Sequence, residues 1–147
     1  MDLYIFGSST VTNIWAGVGA RKWAISRDQA QMPGAKTKAR ALPVGAVGLL
    51  YCSQTHTFST PFLCASTPEV EESVTGIWPE EWFFPFDILP LGSPLKQMTT
   101  DDVSALPTIK ASGKPWNRTL RVQGQFVFQS TTITTQDRAI LFDSLRW

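Results

Sequence analysis

Short apolar runs recurring at a spacing of roughly ten residues constrain this chain more than any other feature. VGLLYCS (47–53), TPFLCAS (60–66), EVEESVTG (69–76) and WFFPFDIL (82–89) are separated by polar or turn-forming stretches. Runs this short, with β-branched and aromatic residues between turn signals, predict a meander of antiparallel strands. Extended, WFFPFDIL puts Trp82, Phe84, Phe86 and Ile88 on one face. Pro85 has no N–H to give a ladder, which places that strand at an edge or a bulge.

The flanking segments add short elements. LYIF (3–6), ended by GSST, predicts a first strand followed by a turn. AKTKARAL (35–42) predicts a short helix closed by Pro43, and Thr99 and Thr100 ahead of Asp101 and Asp102 predict another over 100–106. IKASGKPWNR (109–118) lacks periodicity and is expected to be a loop, QFVF (125–128) a short strand. TTQDRAILFDSLRW places Ile140, Leu141 and Leu145 on a helical stripe behind a threonine cap. Several strands with few helices predict an α+β, barrel-like fold. At 147 residues, 43% hydrophobic and 17% charged, one domain over 1–147 is expected.

Much chemistry is excluded early. No run approaches the roughly 20 apolar residues of a membrane span, and the N-terminal stretch lacks the pattern of a signal peptide, so a soluble intracellular protein without a membrane partner is expected. Cys52 and Cys64 sit inside apolar runs, where cysteine packs as a small hydrophobe. With His56 as the one histidine, ligands for zinc are too few; no metal and no cofactor is expected. There is no GxSxG elbow and no glycine-rich phosphate loop. Glu80 and Glu81 are adjacent, so their side chains diverge, and they read better as an exposed acidic turn than as paired catalytic acids.

The net charge is +1, but its distribution is uneven. Arg21, Lys22, Arg27, Lys36, Lys38 and Arg40 face one acid, Asp28, within 21–40, and Lys110, Lys114, Arg118 and Arg121 face none within 110–121. Eight of the twelve acids lie in 69–102. Either the two basic segments meet as a phosphate-binding face, or they are solvated charges on separate faces.

Of six tryptophans, Trp15, Trp78 and Trp82 lie at or beside turns and not inside apolar runs. Trp78 and Trp82 bracket the turn Pro79-Glu80-Glu81, which can aim two indoles at one space. Parallel faces roughly 7 Å apart hold one flat base, each stacking contact contributing on the order of 1–3 kcal/mol. The competing reading is that these indoles fill the core.

TNIWAG (12–17), VGLLYCS, and above all TGIWPEEWFFPFDILPL (75–91) resemble the YTH domain: a tryptophan after the first strand, an apolar strand, then Gly-apolar-Trp, a short gap, Trp, and a Phe-Asp strand. The basic helix before LPVGAVGLLY and the segment LRVQGQFV also resemble the EVE and wider PUA-like group. The resemblance implies a PUA-like or YTH-like mixed β-barrel of about six strands flanked by short helices. It implies a non-catalytic reader that flips N6-methyladenine into a tryptophan cage of Trp15, Trp78 and Trp82. Ser8 and Ser9 match positions that hydrogen-bond base or backbone, and Ala16 the one whose carbonyl accepts a base N–H. Arg121 matches a phosphate contact, with Lys36, Lys38, Arg40 and Arg118 completing the basic surface. The family's Lys-Ser reads Gly7-Ser8 here, Ser9 stands where Asn or Tyr is usual, and the gap between the later tryptophans is one residue shorter. The implied partner is methylated DNA or RNA, with a fused or associated nuclease or motor subunit, as in a modification-dependent restriction system. Two rivals stand beside it: an EVE-type reader of 5-methylcytosine or 5-hydroxymethylcytosine in DNA, and a barrel-like protein-interaction domain.

Overall fold

The computed structural model describes residues 1–122 and 124–147; Gln123, inside LRVQGQFV, lies outside the described residues. The strands are β1 (Asp2–Ser8), β2 (Lys22–Ile25), β3 (Val47–Cys52), β4 (Thr57–Cys64), β5 (Ser73–Val74), β6 (Trp82–Pro90), β7 (Gln97–Thr99) and β8 (Ser130–Thr132). The helices are α1 (Val11–Ala20), α2 (Arg27–Ala30), α3 (Ala35–Arg40), α4 (Thr100–Ser104), α5 (Pro107–Ser112), α6 (Trp116–Thr119) and α7 (Thr135–Leu145).

One mixed sheet in the order β2-β6-β4-β3-β1-β8 carries the architecture, with β5 on β6 and β7 on β4. It is open. The barrel of about six strands is therefore corrected to an α+β fold with an open eight-stranded sheet. The cause is long-range pairing that local pattern does not encode: β1 and β3 run parallel, Leu3 to Ser8 against Val47 to Cys52, and the crossover between them carries α1, β2, α2 and α3. EVEESVTG contributes two residues of strand, so β4 pairs with β6 and the expected meander is interrupted.

Helices on both faces explain the unbroken apolar runs, since a strand covered on both sides has no wet face. Along β1 and β3 successive side chains alternate between two cores. Phe6, Leu50 and Cys52 join Ile14, Trp23, Ala35, Ala39, Trp78, Trp82 and Phe86 on the α1 to α3 side. Leu3, Ile5, Leu49 and Tyr51 join Val103, Ile109, Leu141 and Leu145 on the α4 to α7 side. Cys52 and Cys64 are buried and free. Burial pushes the Cys64 thiol up to about 12, which makes it chemically inert.

The capped helices form as the sequence predicts. Thr99 with Asp102, and Thr134 with Asp137, make reciprocal capping boxes that satisfy the first N–H groups of α4 and α7. IKASGKPWNR is corrected from loop to parts of two short helices, α5 opening on Pro107 and α6 following Pro115, positions where proline needs no donor. QFVF is corrected from strand to a 3₁₀ turn at Gly124–Phe126, and Phe128 follows at φ 57°. Packing of Phe128 edge-on against Phe6, centroids 5.6 Å apart, outweighs the local strand preference.

Candidate functional site

α1 and β2 build the site, and neither follows from the local pattern. The α1 sequence VTNIWAGVGA contains β-branched residues and two glycines, poor helix formers. It is helical because Thr10 caps it, accepting from the Asn13 N–H at 3.1 Å, and because it lies directly on Trp23. A Cβ on Gly17 would stand 2.7 Å from the Trp23 ring. Arg21 ends the helix in the left-handed region at φ 53°, and β2 starts at once, carrying Trp23 into the core.

Trp23, Trp78 and Trp82 form one cluster. Trp78 and Trp82 stack face to face at 4.1 Å and 11°. Trp23 stands nearly perpendicular to both, at 79° and 74°, with centroids 5.6 and 5.5 Å away. All three are buried, at 1%, 4% and 6% exposure. The Trp78 Nε1–H donates to the Asn13 carbonyl at 2.9 Å and the Trp82 Nε1–H to Glu80 Oε1 at 3.2 Å. The sequence pairs Trp78 with Trp82, as found, but adds Trp15, which the structure leaves elsewhere: it is 44% exposed on α1 and makes no ring contact among the described residues. The third indole is Trp23, passed over because it sits in the apolar run KWAI. The 7 Å gap is also absent, because the two walls touch.

Beside the cluster lies a cleft of about 200 Å³ lined by Gly7, Ser8, Ser9, Asn13, Ala24, Ser26, Gln29, Glu80 and Trp82. Ser8 and Ser9 come to its rim from the end of β1. Ser8 Oγ accepts from Asn13 Nδ2 at 3.0 Å, fixing the start of α1 to β1. Ala16 does not line it. The alanine on its wall is Ala24, where the β2–β6 register slips between Trp23 and Ile25. A second cleft of about 250 Å³ shares Gly7, Ser8, Ser9 and Gln29 and adds Trp23, Tyr51, Ser53, Val122 and Val127. Tyr51 lines it, its hydroxyl held above the ordinary range by burial and by neighbouring Cys52. Asn13, Trp23, Ala24 and Gln29 were not singled out from the sequence. Asn13 could have been, as a polar residue just inside a threonine-capped start.

The basic residues differ in their partners. Lys36 and Arg40 on α3 both reach Glu71, at 3.2 and 3.6 Å, and Lys36 lines a groove with Glu71 and Glu72. Lys38, Arg118 and Arg121 form no ion pair among the described residues. Arg121 is exposed at φ 55°, directly before Val122 of the second cleft. Among the described residues no cluster of His, Cys, Asp or Glu could hold a metal, and no helix is long and apolar enough to cross a membrane.

No known family profile matches the chain, and no curated protein does. Solved structures do match. The YTH domain of MRB1 from Zygosaccharomyces rouxii, solved in complex with N6-methyladenosine RNA, aligns with a TM-score of 0.64 at 14% identity, over 99% of this chain and 88% of that one. The CPSF4 YTH domain of Toxoplasma aligns at 0.63 and 14% identity in its apo form, over 99% and 87%. In complex with a 7-mer m6A-modified RNA it aligns at 0.63 and 17%, over 99% and 92%. The open sheet, the helices on its two faces and these alignments over nearly the whole chain agree: this protein has the fold of a YTH domain.

Proposed function

We propose that this chain reads methylated nucleic acid without altering it, taking one N6-methylated adenine of an RNA strand into the space walled by Trp23, Trp78 and Trp82. Support comes chiefly from a cluster of three indoles, of which Trp82 walls a cleft that Ser8, Ser9, Asn13 and Ala24 line with hydroxyls, an amide and main chain, and Trp23 walls the cleft that shares Ser8 and Ser9 with it. Stacking supplies affinity at on the order of 1–3 kcal/mol per contact and tolerates any base. Identity then depends on polar contacts to the base edge. The Ala24 carbonyl, outside the ladder register, takes the part of acceptor for the base N–H that the sequence assigns to Ala16. A methyl buried among the indoles contributes roughly 1 kcal/mol, about a fivefold preference.

RNA is the first choice of strand because the MRB1 and CPSF4 domains were solved with N6-methyladenosine RNA. Arg118 and Arg121 hold phosphates beside the second cleft; Lys36 and Arg40, already paired with Glu71, contribute less.

The test is a tryptophan-fluorescence titration with short RNA and DNA oligonucleotides carrying adenine, N6-methyladenine, cytosine or 5-methylcytosine. Preferential quenching by N6-methyladenine RNA, lost in Trp78→Ala and kept in Trp15→Ala, is expected. Equal weak binding to every oligonucleotide, unchanged by Trp78→Ala, overturns the proposal. Selective binding of 5-methylcytosine DNA replaces it with the EVE-type reader.

A further inference from the structure

We infer that Glu80 is a positioning residue for ligand entry: its carboxylate holds Trp82 closed against Trp78, and its release governs how readily the cage accepts a base. This rests on the reader function proposed above. Two aromatic contacts at about 3.5 Å each require walls roughly 7 Å apart. The Trp78 and Trp82 centroids are 4.1 Å apart, so one indole must move by about 3 Å before a base can stand between them.

The two indoles are held differently. Trp78 is tied to main chain, its N–H buried against the Asn13 carbonyl at 2.9 Å, and it lines none of the described clefts around the site. Trp82 forms the cleft wall, and its N–H is held at 3.2 Å by a side chain on an exposed turn two residues upstream. Trp82 is therefore the wall that moves.

The turn itself separates anchor from latch. Glu81 is fixed at both oxygens, one to Arg27 at 3.2 Å and the other to Ser73 at 2.6 Å. Arg27 also lies over the Phe83 ring, 4.8 Å from its centroid. Glu80 forms no ion pair among the described residues, lines both this cleft and a neighbouring one with Ser26 and Arg27, and its carboxylate accepts from Trp82. Breaking its bond to Trp82 leaves the pinned turn in place. An apparent dissociation constant is the intrinsic one divided by the fraction of open protein, so a latch that lowers this fraction weakens binding in proportion.

Two substitutions separate the latch from simple charge. Glu80→Gln removes the negative charge but keeps an oxygen that can accept the indole N–H; Glu80→Ala removes both. The ligand is free N6-methyladenosine, which carries no phosphate for a carboxylate to repel. Near-ultraviolet circular dichroism of the free protein reads the stacked indole pair, with Trp82→Phe as reference. Glu80→Ala is expected to weaken the Trp78–Trp82 signal and bind the nucleoside about 3- to 10-fold more tightly through faster association, whereas Glu80→Gln matches the parent. Weaker nucleoside binding by Glu80→Ala, or equal behaviour of the two variants, overturns the latch, as does an unchanged dichroism signal in Glu80→Ala with selective binding intact. A dichroism change confined to Glu80→Ala, with no methylated ligand bound by any of the proteins, overturns the reader function and with it a role in entry.

Discussion

The indole N–H of Trp78 donates to the main-chain carbonyl of Asn13 at 2.9 Å, joining residues 65 positions apart, while the Asn13 side chain donates to Ser8 Oγ at 3.0 Å. One asparagine thus fixes the aromatic wall to α1 and α1 to the end of β1. The position of Trp78 and that of Ser8 at the cleft rim are linked through these two bonds.

Replacing Trp78 by Phe removes the donor of a buried hydrogen bond and part of a buried ring, and the lost bond alone costs about 0.5–1.5 kcal/mol in stability. Trp15→Ala, on the exposed side of α1, is expected to stay within about 0.5 kcal/mol of the parent. Urea unfolding of both variants checks the contrast. Equal losses at the two positions would mean that Trp15 is packed after all.

Gly17→Ala should destabilise, although the same change in a helix interior ordinarily stabilises by roughly 0.5–1 kcal/mol. Here the added methyl stands 2.7 Å from the Trp23 ring, and overpacking of this kind costs about 1–3 kcal/mol, so the steric effect wins. The expected readouts are a lower melting temperature and weaker binding of N6-methyladenine RNA together, because Trp23 is both core and wall. A raised melting temperature would show that α1 does not rest on Trp23.

Much of this arrangement was legible in the sequence, and the illegible part has a physical pattern. VGLLYCS reads as a strand because burial on both sheet faces leaves no polar interruption, WFFPFDIL because Trp82, Phe84, Phe86 and Ile88 alternate onto a buried face, and the helix starts at Thr99 and Thr134 read because their caps are local chemistry. Trp78 and Trp82 read as a pair because three turn residues separate them. What failed depends on distant partners. α1 is a helix because Trp23 lies beneath it, QFVF leaves the strand because Phe128 packs on Phe6, and the strand order departs from a meander because β1 pairs in parallel with β3. Trp23 escaped notice since an indole in an apolar run has no local mark to distinguish a core filler from a binding wall.

Asp137 ties α5 to α7. Its buried carboxylate accepts from the N–H and hydroxyl of both Thr108 and Thr134. Burial alone would raise its pKa, but those hydrogen bonds outweigh it and hold the group below the ordinary carboxylate range. A depressed folded pKa contributes stability that is fully present above the unfolded value, near 3.9, and lost as pH falls through the folded one. Acid unfolding of the parent should therefore steepen below about pH 4, while Asp137→Asn, less stable at neutral pH by about 1.5–3 kcal/mol, should lack that component. Parallel acid titrations of the two proteins would sink the assignment.

Phosphate contacts can be located by salt. A cation that neutralises one phosphate adds about 1 to the slope of log affinity against log salt, and removing it takes that amount away. Arg121 forms no ion pair among the described residues and directly precedes Val122 of the second cleft, so Arg121→Ala should lower the slope by about 1 for every RNA sequence alike. Arg40→Ala should change it less, since Glu71 at 3.6 Å already offsets that charge. Glu71→Gln makes the distinction sharp: it frees Lys36 and Arg40 together, yet binding should stay as it was if the strand passes Arg121. Tighter binding by Glu71→Gln would move the strand's path onto α3.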